Sequence, residues 1–267
     1  MSYLRTTDAE IYYEVHGDGP AFLFCSVTGL DHQAWKFHQV REFCRDHKVI
    51  IFDYRGTGKS SKTIQPYSIK IFTDDAAAIL DHLDVEQAVV CGHSMGGVVA
   101  QLLSLDYPRK VKKLILASSG SSHPGAHGIP LAMCRDMVRK GFEGYIREHT
   151  IETGWTREFV ASHPDLIEKF LQVRMSGIAP LENYLYFVLA RQDHDHTARL
   201  KEIRVPTLVF VGDDEKHGAS DKTHWHSAHE LARQIPNAKL VVLPGEGHHY
   251  LATNPEVAHK TIREFIA

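Results

Sequence analysis

Short apolar runs alternate with longer stretches of helical period along most of this chain. The runs AFLFCS (21–26), KVIIFD (48–53), QAVVCG (87–92), VKKLILAS (111–118), PTLVFVG (206–212) and KLVVLP (239–244) are nearly continuous in apolar residues, rich in Val, Ile, Leu and Phe. Such runs are strands buried on both faces, the mark of a parallel sheet covered by helices. EIYYEV (10–15), which ends in the turn HGDGP, reads as an early antiparallel strand. Helical patterns lie between the runs: one beginning near Trp35, then 72–83, 95–107, 228–235 and 255–266. From about 121 to 200 the rhythm changes, and LAMCRDMVRKGF, PDLIEKFLQVRM and LENYLYFVLARQ follow one another with no strand between them. The expected architecture is one α/β domain, a mostly parallel doubly wound sheet made of residues 1–120 and 201–267, with a helical lid at 121–200 inserted after the sixth strand. An insertion at the carboxyl ends of the strands would roof the crevice in which such sheets bind ligands.

Composition narrows the partners. The 267 residues, 43% hydrophobic, suffice for a sizeable core. Thirty Lys+Arg against 33 Asp+Glu give a formal charge of −3 with no basic stripe, so nucleic acid is not an expected partner. The opening MSYLRTTDAEIYYEVHG lacks the layout of a signal peptide, and no apolar stretch nears the roughly 18 residues that span a bilayer. A cytoplasmic protein without a membrane partner is expected; oligomeric state is left open. Cys25, Cys44, Cys91 and Cys134 show no CxxC spacing and are read as free thiols, Cys25 and Cys91 as small apolar residues of strands.

The chemistry concentrates in VVCGHSMGGVVAQ, where Ser94 stands between Gly92 and Gly96 at a strand-to-helix junction. That spacing is the nucleophile elbow. DYRGTGKS (53–60), GHSMGG, YPRKVKKLILAS, RVPTLVFVGDDE and LPGEGHHYLATNPE occur in order, each on its expected element. With them the chain resembles the α/β-hydrolase superfamily, in particular its small lidded esterases and lactonases. The stretch TGLDHQAW resembles the 3-oxoadipate enol-lactone hydrolases in spacing.

A serine hydroxyl needs an imidazole to take its proton and a carboxylate to orient that imidazole. His248, after the last strand, is the expected general base. The carboxylate falls in the loop after Gly212: the resemblance favours Glu215, with Asp214 next and Asp213 or another group behind them. The resembling proteins carry His-Gly after the third strand where this chain has Ser26-Val27; alignment on Gly29 and Trp35 makes the backbone amides of Thr28 and Met95 the oxyanion hole, with the Thr28 hydroxyl a further candidate donor. Leu30, Trp35, His249, Tyr145, Trp155, Tyr186 and Phe187 are candidate substrate contacts; Phe142 and Tyr184 belong to the same aromatic set, all of which could instead pack the lid. Asp31 and His32 either read a polar substrate group or cap their loop, and Asp53 and Arg55 are expected braces. Nineteen histidines raise the question of a metal, chiefly at 193–196 and 217–229, but neither cluster has a known ligand spacing, so no metal and no cofactor are expected. The expected activity is hydrolysis of a small carboxylic ester or lactone through an acyl-enzyme on Ser94. Amide hydrolysis, cleavage of a β-diketone carbon–carbon bond, peracid formation, or a slowly hydrolysing small-molecule receptor would use the same site.

Overall fold

A computed structural model of the chain describes residues 2–122, 128–213 and 224–267. Eight strands form one sheet in the order β1-β2-β4-β3-β5-β6-β7-β8. They are β1 (Ser2–Arg5), β2 (Glu10–His16), β3 (Ala21–Cys25), β4 (Lys48–Phe52), β5 (Ala88–His93), β6 (Val111–Ala117), β7 (Thr207–Gly212) and β8 (Ala238–Leu243). β1 and β2 are antiparallel to their neighbours; from β4 onward every pairing is parallel. The apolar runs become the central strands because both their faces are covered: β5 and β7 are buried at every position. β1, SYLR, has no apolar run to betray it and lies largely exposed at the sheet edge.

One face of the sheet carries α1 (Gln33–Lys36), α2 (Gln39–Phe43) and the last helices α10 (Tyr250–Thr253) and α11 (Pro255–Ile266), packed on Phe22, Phe24, Cys91, Ile115 and Phe210. The other carries α3 (Ile69–His82), α4 (Met95–Asp106) and α9 (His224–Gln234), over Leu23, Val90, Leu114 and Val209.

Between β6 and β7 lie α5 (Leu131–Gly154), α6 (Arg157–Ser162), α7 (Pro164–Gly177) and α8 (Leu181–Gln192). α5 is two helices broken at Gly141, whose φ of +73° suits glycine and not a helix interior. Backbone hydrogen bonds tie this helical layer to the loops at the strand ends. The Asp31 amide donates to the Gly177 carbonyl (3.1 Å), Ala179 N–H to the Gly29 carbonyl (2.7 Å), and His248 N–H to the Gly154 carbonyl (2.9 Å). No helix among the described residues is long and apolar enough to cross a membrane. The four cysteines are free, with Cys25 and Cys91 buried.

Candidate active site

The turn from β5 into α4 holds Ser94 at φ +56° and ψ −120°, a conformation rarely adopted by side-chain-bearing residues. The neighbouring glycines make that turn sterically feasible. A Cβ on Gly92 would sit 2.1 Å from the Gly96 carbonyl oxygen, and one on Gly96 would sit 2.0 Å from that of Cys25. α4 therefore starts against β3, and Ser94 rides at the crest. Its backbone is fixed by its N–H to the Ala117 carbonyl (2.9 Å) and by its own carbonyl, which accepts from Gly97 N–H (2.9 Å) and from Ser119 Oγ (2.8 Å). Ser94 Oγ does not cap the helix.

Met95, the first residue of α4, carries one of the amides for which a helix has no carbonyl four residues back. Across from the elbow, the loop after β3 contributes Thr28, buried, with an Oγ1 that has no hydrogen-bond partner. Ser26 and Val27 occupy the places of the usual His-Gly; Ser26 Oγ accepts from Trp35 Nε1 (2.8 Å), which anchors the loop onto α1.

His248 is buried on the loop after β8. His93, immediately before Ser94, donates from Nε2 to the His248 carbonyl (2.8 Å), which fixes the His93 tautomer because a carbonyl can only accept. The His248 ring lies 4.9 Å from that of His93, 5.0 Å from that of His249, and stacks on His224 at 4.3 Å. Burial, then the positive charge of Arg174 and the proximity of His149 and Arg191, hold His248 down at about 3, so at neutral pH its ring is uncharged. Of the candidate carboxylates, Glu215 and Asp214 lie outside the described residues. Asp213 accepts a hydrogen bond from the Gly245 amide (2.6 Å), so it is engaged in the turn after β8.

The candidate substrate contacts separate by position. Leu30, Trp35 and His249 line a small pocket with Val27, Phe170 and Leu251, beside the loop that carries Thr28. Trp155 packs on His249 (5.0 Å between ring centroids) and Phe170 (5.2 Å). Tyr145 stacks on His149 at 5.3 Å. Tyr186 packs on Tyr67 and extends its hydroxyl toward exposed Glu182. Phe187 is fully buried, stacked on Phe72 at 4.8 Å and edge-on to Tyr54 and Tyr67; its place is the core under the lid.

Below the site, Asp53 accepts from His32 N–H (2.7 Å), His32 Nδ1 (2.8 Å) and Lys59 N–H (2.8 Å), and Arg55 holds Asp75 through two bonds of 2.8 Å. Asp31 accepts from the Gln33 amide (2.9 Å) at the start of α1.

The sequence pattern of the α/β hydrolase fold family matches residues 20–255. The chain belongs to that family. Two relatives of this α/β hydrolase are a protein of Azorhizobium caulinodans named "Putative carbamate hydrolase RutD", 29% identical over 99% of this chain and 98% of that one, and the "3-oxoadipate enol-lactonase 2" of Acinetobacter baylyi, 30% identical over 78% of this chain and 77% of that one. In structure, the enol-lactonase from Burkholderia xenovorans LB400 superposes with a TM-score of 0.84 over 99% of both chains; at 23% identity this likeness speaks for the fold.

Two groups of described side chains bring potential metal-ligand atoms together: His93 with His248 and His249, and Asp31 with His32 and Asp53. Neither is a cluster visible in sequence. His194 contacts His196, whose Nε2 bonds Gln101 Oε1 (3.0 Å), and His229 Nδ1 bonds the Trp225 carbonyl (2.8 Å). His217 lies outside the described residues. Sequence reasoning also passed over His93, which sits inside the elbow motif at a position the motif leaves unspecified, and Arg174 and Arg191, which nothing in the lid's helical period distinguishes from surface cations.

Proposed function

We propose that this α/β hydrolase cleaves a small carboxylic ester or lactone through an acyl-enzyme on Ser94. The observation that carries the reading is the strained elbow: Ser94 at φ +56° at the head of α4, beside the Met95 amide and opposite the Thr28 loop. Ser94 Oγ attacks the acyl carbon while its proton passes to the neutral ring of His248. The carbonyl oxygen, now an alkoxide, accepts hydrogen bonds from the amides of Thr28 and Met95; one such donor is worth about 10²–10³ in turnover. The tetrahedral intermediate collapses, the C–O bond breaks, and the His248 proton goes to the leaving oxygen. A water then gives its proton to His248, attacks the acyl-enzyme carbonyl, and the acid leaves as Ser94 regains its proton. A carboxylate from Asp214 or Glu215 would steady the imidazolium formed twice in each cycle. A relative named an enol-lactonase and one named a carbamate hydrolase both support attack on an acyl carbon.

The test is Ser94→Ala with p-nitrophenyl butyrate as substrate. Loss of about 10⁶ in kcat is expected from removing the nucleophile of a working triad. Undiminished ester hydrolysis in that variant would refute the proposal.

A further inference from the structure

Several arginines elsewhere in the chain are paired with acids. Arg55 holds Asp75 and Asp8, Arg199 holds Asp106 and Glu202, and Arg263 holds Glu42 and Asp46. Arg174 on α7 and Arg191 on α8 differ in having buried guanidinium nitrogens without a partner. Arg174 is only 7% exposed, yet its Nε and Nη1 have no hydrogen-bond partner, and Arg191 Nε is likewise buried without one. Among the described residues no carboxylate lies within ion-pair distance of either guanidinium. An isolated buried cation is costly, by several kcal/mol in ordinary proteins, unless something else supplies the counter-charge.

Both guanidiniums converge on the same space. The charge of each acts on His248, on His149 and on Tyr145. Arg174 lies one turn before Gly177, whose carbonyl is bonded to Asp31 of the oxyanion loop, and His149 and Tyr145 line the facing side of α5. The unsatisfied donors thus sit in the helical layer above the sheet, close enough for their charge to act on His248.

We propose that Arg174 and Arg191 form a carboxylate-binding subsite, so that the natural substrate is an ester, lactone or related acyl compound bearing a second, ionised carboxyl group. The planar fork of a guanidinium matches a carboxylate through two parallel N–H···O bonds. This deepens the proposed function and rests on it for the reaction, though the binding step does not.

The experiment measures kcat/KM for four p-nitrophenyl or phenyl esters in two pairs: mono-p-nitrophenyl glutarate (charge on the acyl side) against neutral p-nitrophenyl valerate, and 4-acetoxybenzoate (charge on the leaving group) against neutral phenyl acetate. Each charge-assisted bond ordinarily contributes about tenfold or more, so one of the two anionic esters is expected to exceed its neutral counterpart by at least about a hundredfold. Which one does so tells where the carboxylate sits. In Arg174→Met and Arg191→Met the ratio is expected to fall toward one. Because the methionine removes an unpaired buried charge, Arg174→Met is also expected to melt no lower than the parent in the absence of ligand. Equal rates on charged and neutral esters in the parent protein overturn the subsite, and so does a drop of several degrees in Arg174→Met, which would mark a structural arginine. Calorimetric titration of the Ser94→Ala protein with glutarate against glutaramide separates the two proposals: glutarate binding that Arg174→Met abolishes upholds the subsite even if Ser94 is not the nucleophile, and absence of glutarate binding overturns it while leaving the Ser94 assignment intact.

Discussion

The backbone of Ser94 predicts a specific trade of stability for reactivity. At φ +56° and ψ −120° a residue with a Cβ carries strain of about 1–3 kcal/mol, from which glycine is exempt. Two variants isolate it. Ser94→Ala keeps the Cβ and therefore the strain, and because Ser94 Oγ does not cap α4, it removes no helix-capping bond. Ser94→Gly relieves the strain and adds about 0.4–1 kcal/mol of chain entropy to the unfolded state. The net expectation is that Ser94→Gly is more stable than Ser94→Ala by about 0.5–2 kcal/mol, or roughly 1–8 °C in Tm for a chain of this size. Both variants lack the proposed nucleophile, so activity plays no part in the comparison. Urea denaturation followed by far-ultraviolet circular dichroism, at equal m-value, measures the difference. A glycine variant equal to or weaker than the alanine variant would show that the elbow stores no strain, and the reasoning that a β-carbon is tolerated there only for its hydroxyl would fail.

Two further predictions concern the surroundings of the elbow. Gly96→Ala would place a Cβ 2.0 Å from the Cys25 carbonyl oxygen and 2.6 Å from that of Ser26, so the α4–β3 contact must open; a loss of about 3 kcal/mol or more in urea denaturation is expected, and a loss below about 1 kcal/mol would contradict the close approach. Stability should also depend on pH through buried neutral histidines. His149 is held at about 4, and His196 and His248 at about 3, each by burial first, against an ordinary 6.5 in the unfolded chain. Because the folded values are depressed, the unfolded chain takes up the protons: stability is complete above pH 6.5 and falls as pH drops toward 4. Each histidine contributes about 1.5 kcal/mol of that loss between pH 6.5 and 5, several kcal/mol together. Most carboxylates titrate below this window, so urea midpoints that stay level from pH 7 to 5 would sink the assignment.

Much of this fold is written in the chain because its central strands are buried on both faces, and burial of that kind leaves a continuous apolar run. β5 and β7 were legible for that reason, and β1, with four residues at an exposed edge, was not. Helix ends in the core were also predictable, as where the run after Ser94 starts α4. The lid was visible as a helical region, yet its side-chain assignments were not, since a helical period marks an inward face without saying what lies inside. Phe187 and Tyr184 are neighbours at period three on one apolar stripe, but Phe187 joins the stack of Phe72 and Tyr54, while Tyr184 packs against Phe142 and lies within 3.3 Å of where a Cβ on Gly29 would stand. Arg174 and Arg191 were invisible for a related reason: an arginine in a helix signals a solvated face unless the partner that should neutralise it is known to be missing.

The departure of the proposed oxyanion loop from His-Gly finds its physical counterpart in how that loop is held. Ser26 accepts from Trp35 Nε1, the Gly29 carbonyl accepts from Ala179, and the Asp31 amide is spent on Gly177. Two of these three bonds come from the lid. The loop that presents the Thr28 amide is thereby continuous with the segment joining α7 to α8, and Arg174 lies three residues before the Gly177 that accepts from it. A substrate carboxylate drawn to Arg174 would pull on the same backbone that sets the oxyanion amide, so binding of the remote charge and alignment of the reacting carbonyl would be coupled through a few bonds. Such coupling lets binding energy from a non-reacting part of a substrate appear as turnover rather than as affinity. It predicts that losing the carboxylate from the substrate lowers kcat as well as raising KM, because the amide is then left without the contact that positions it.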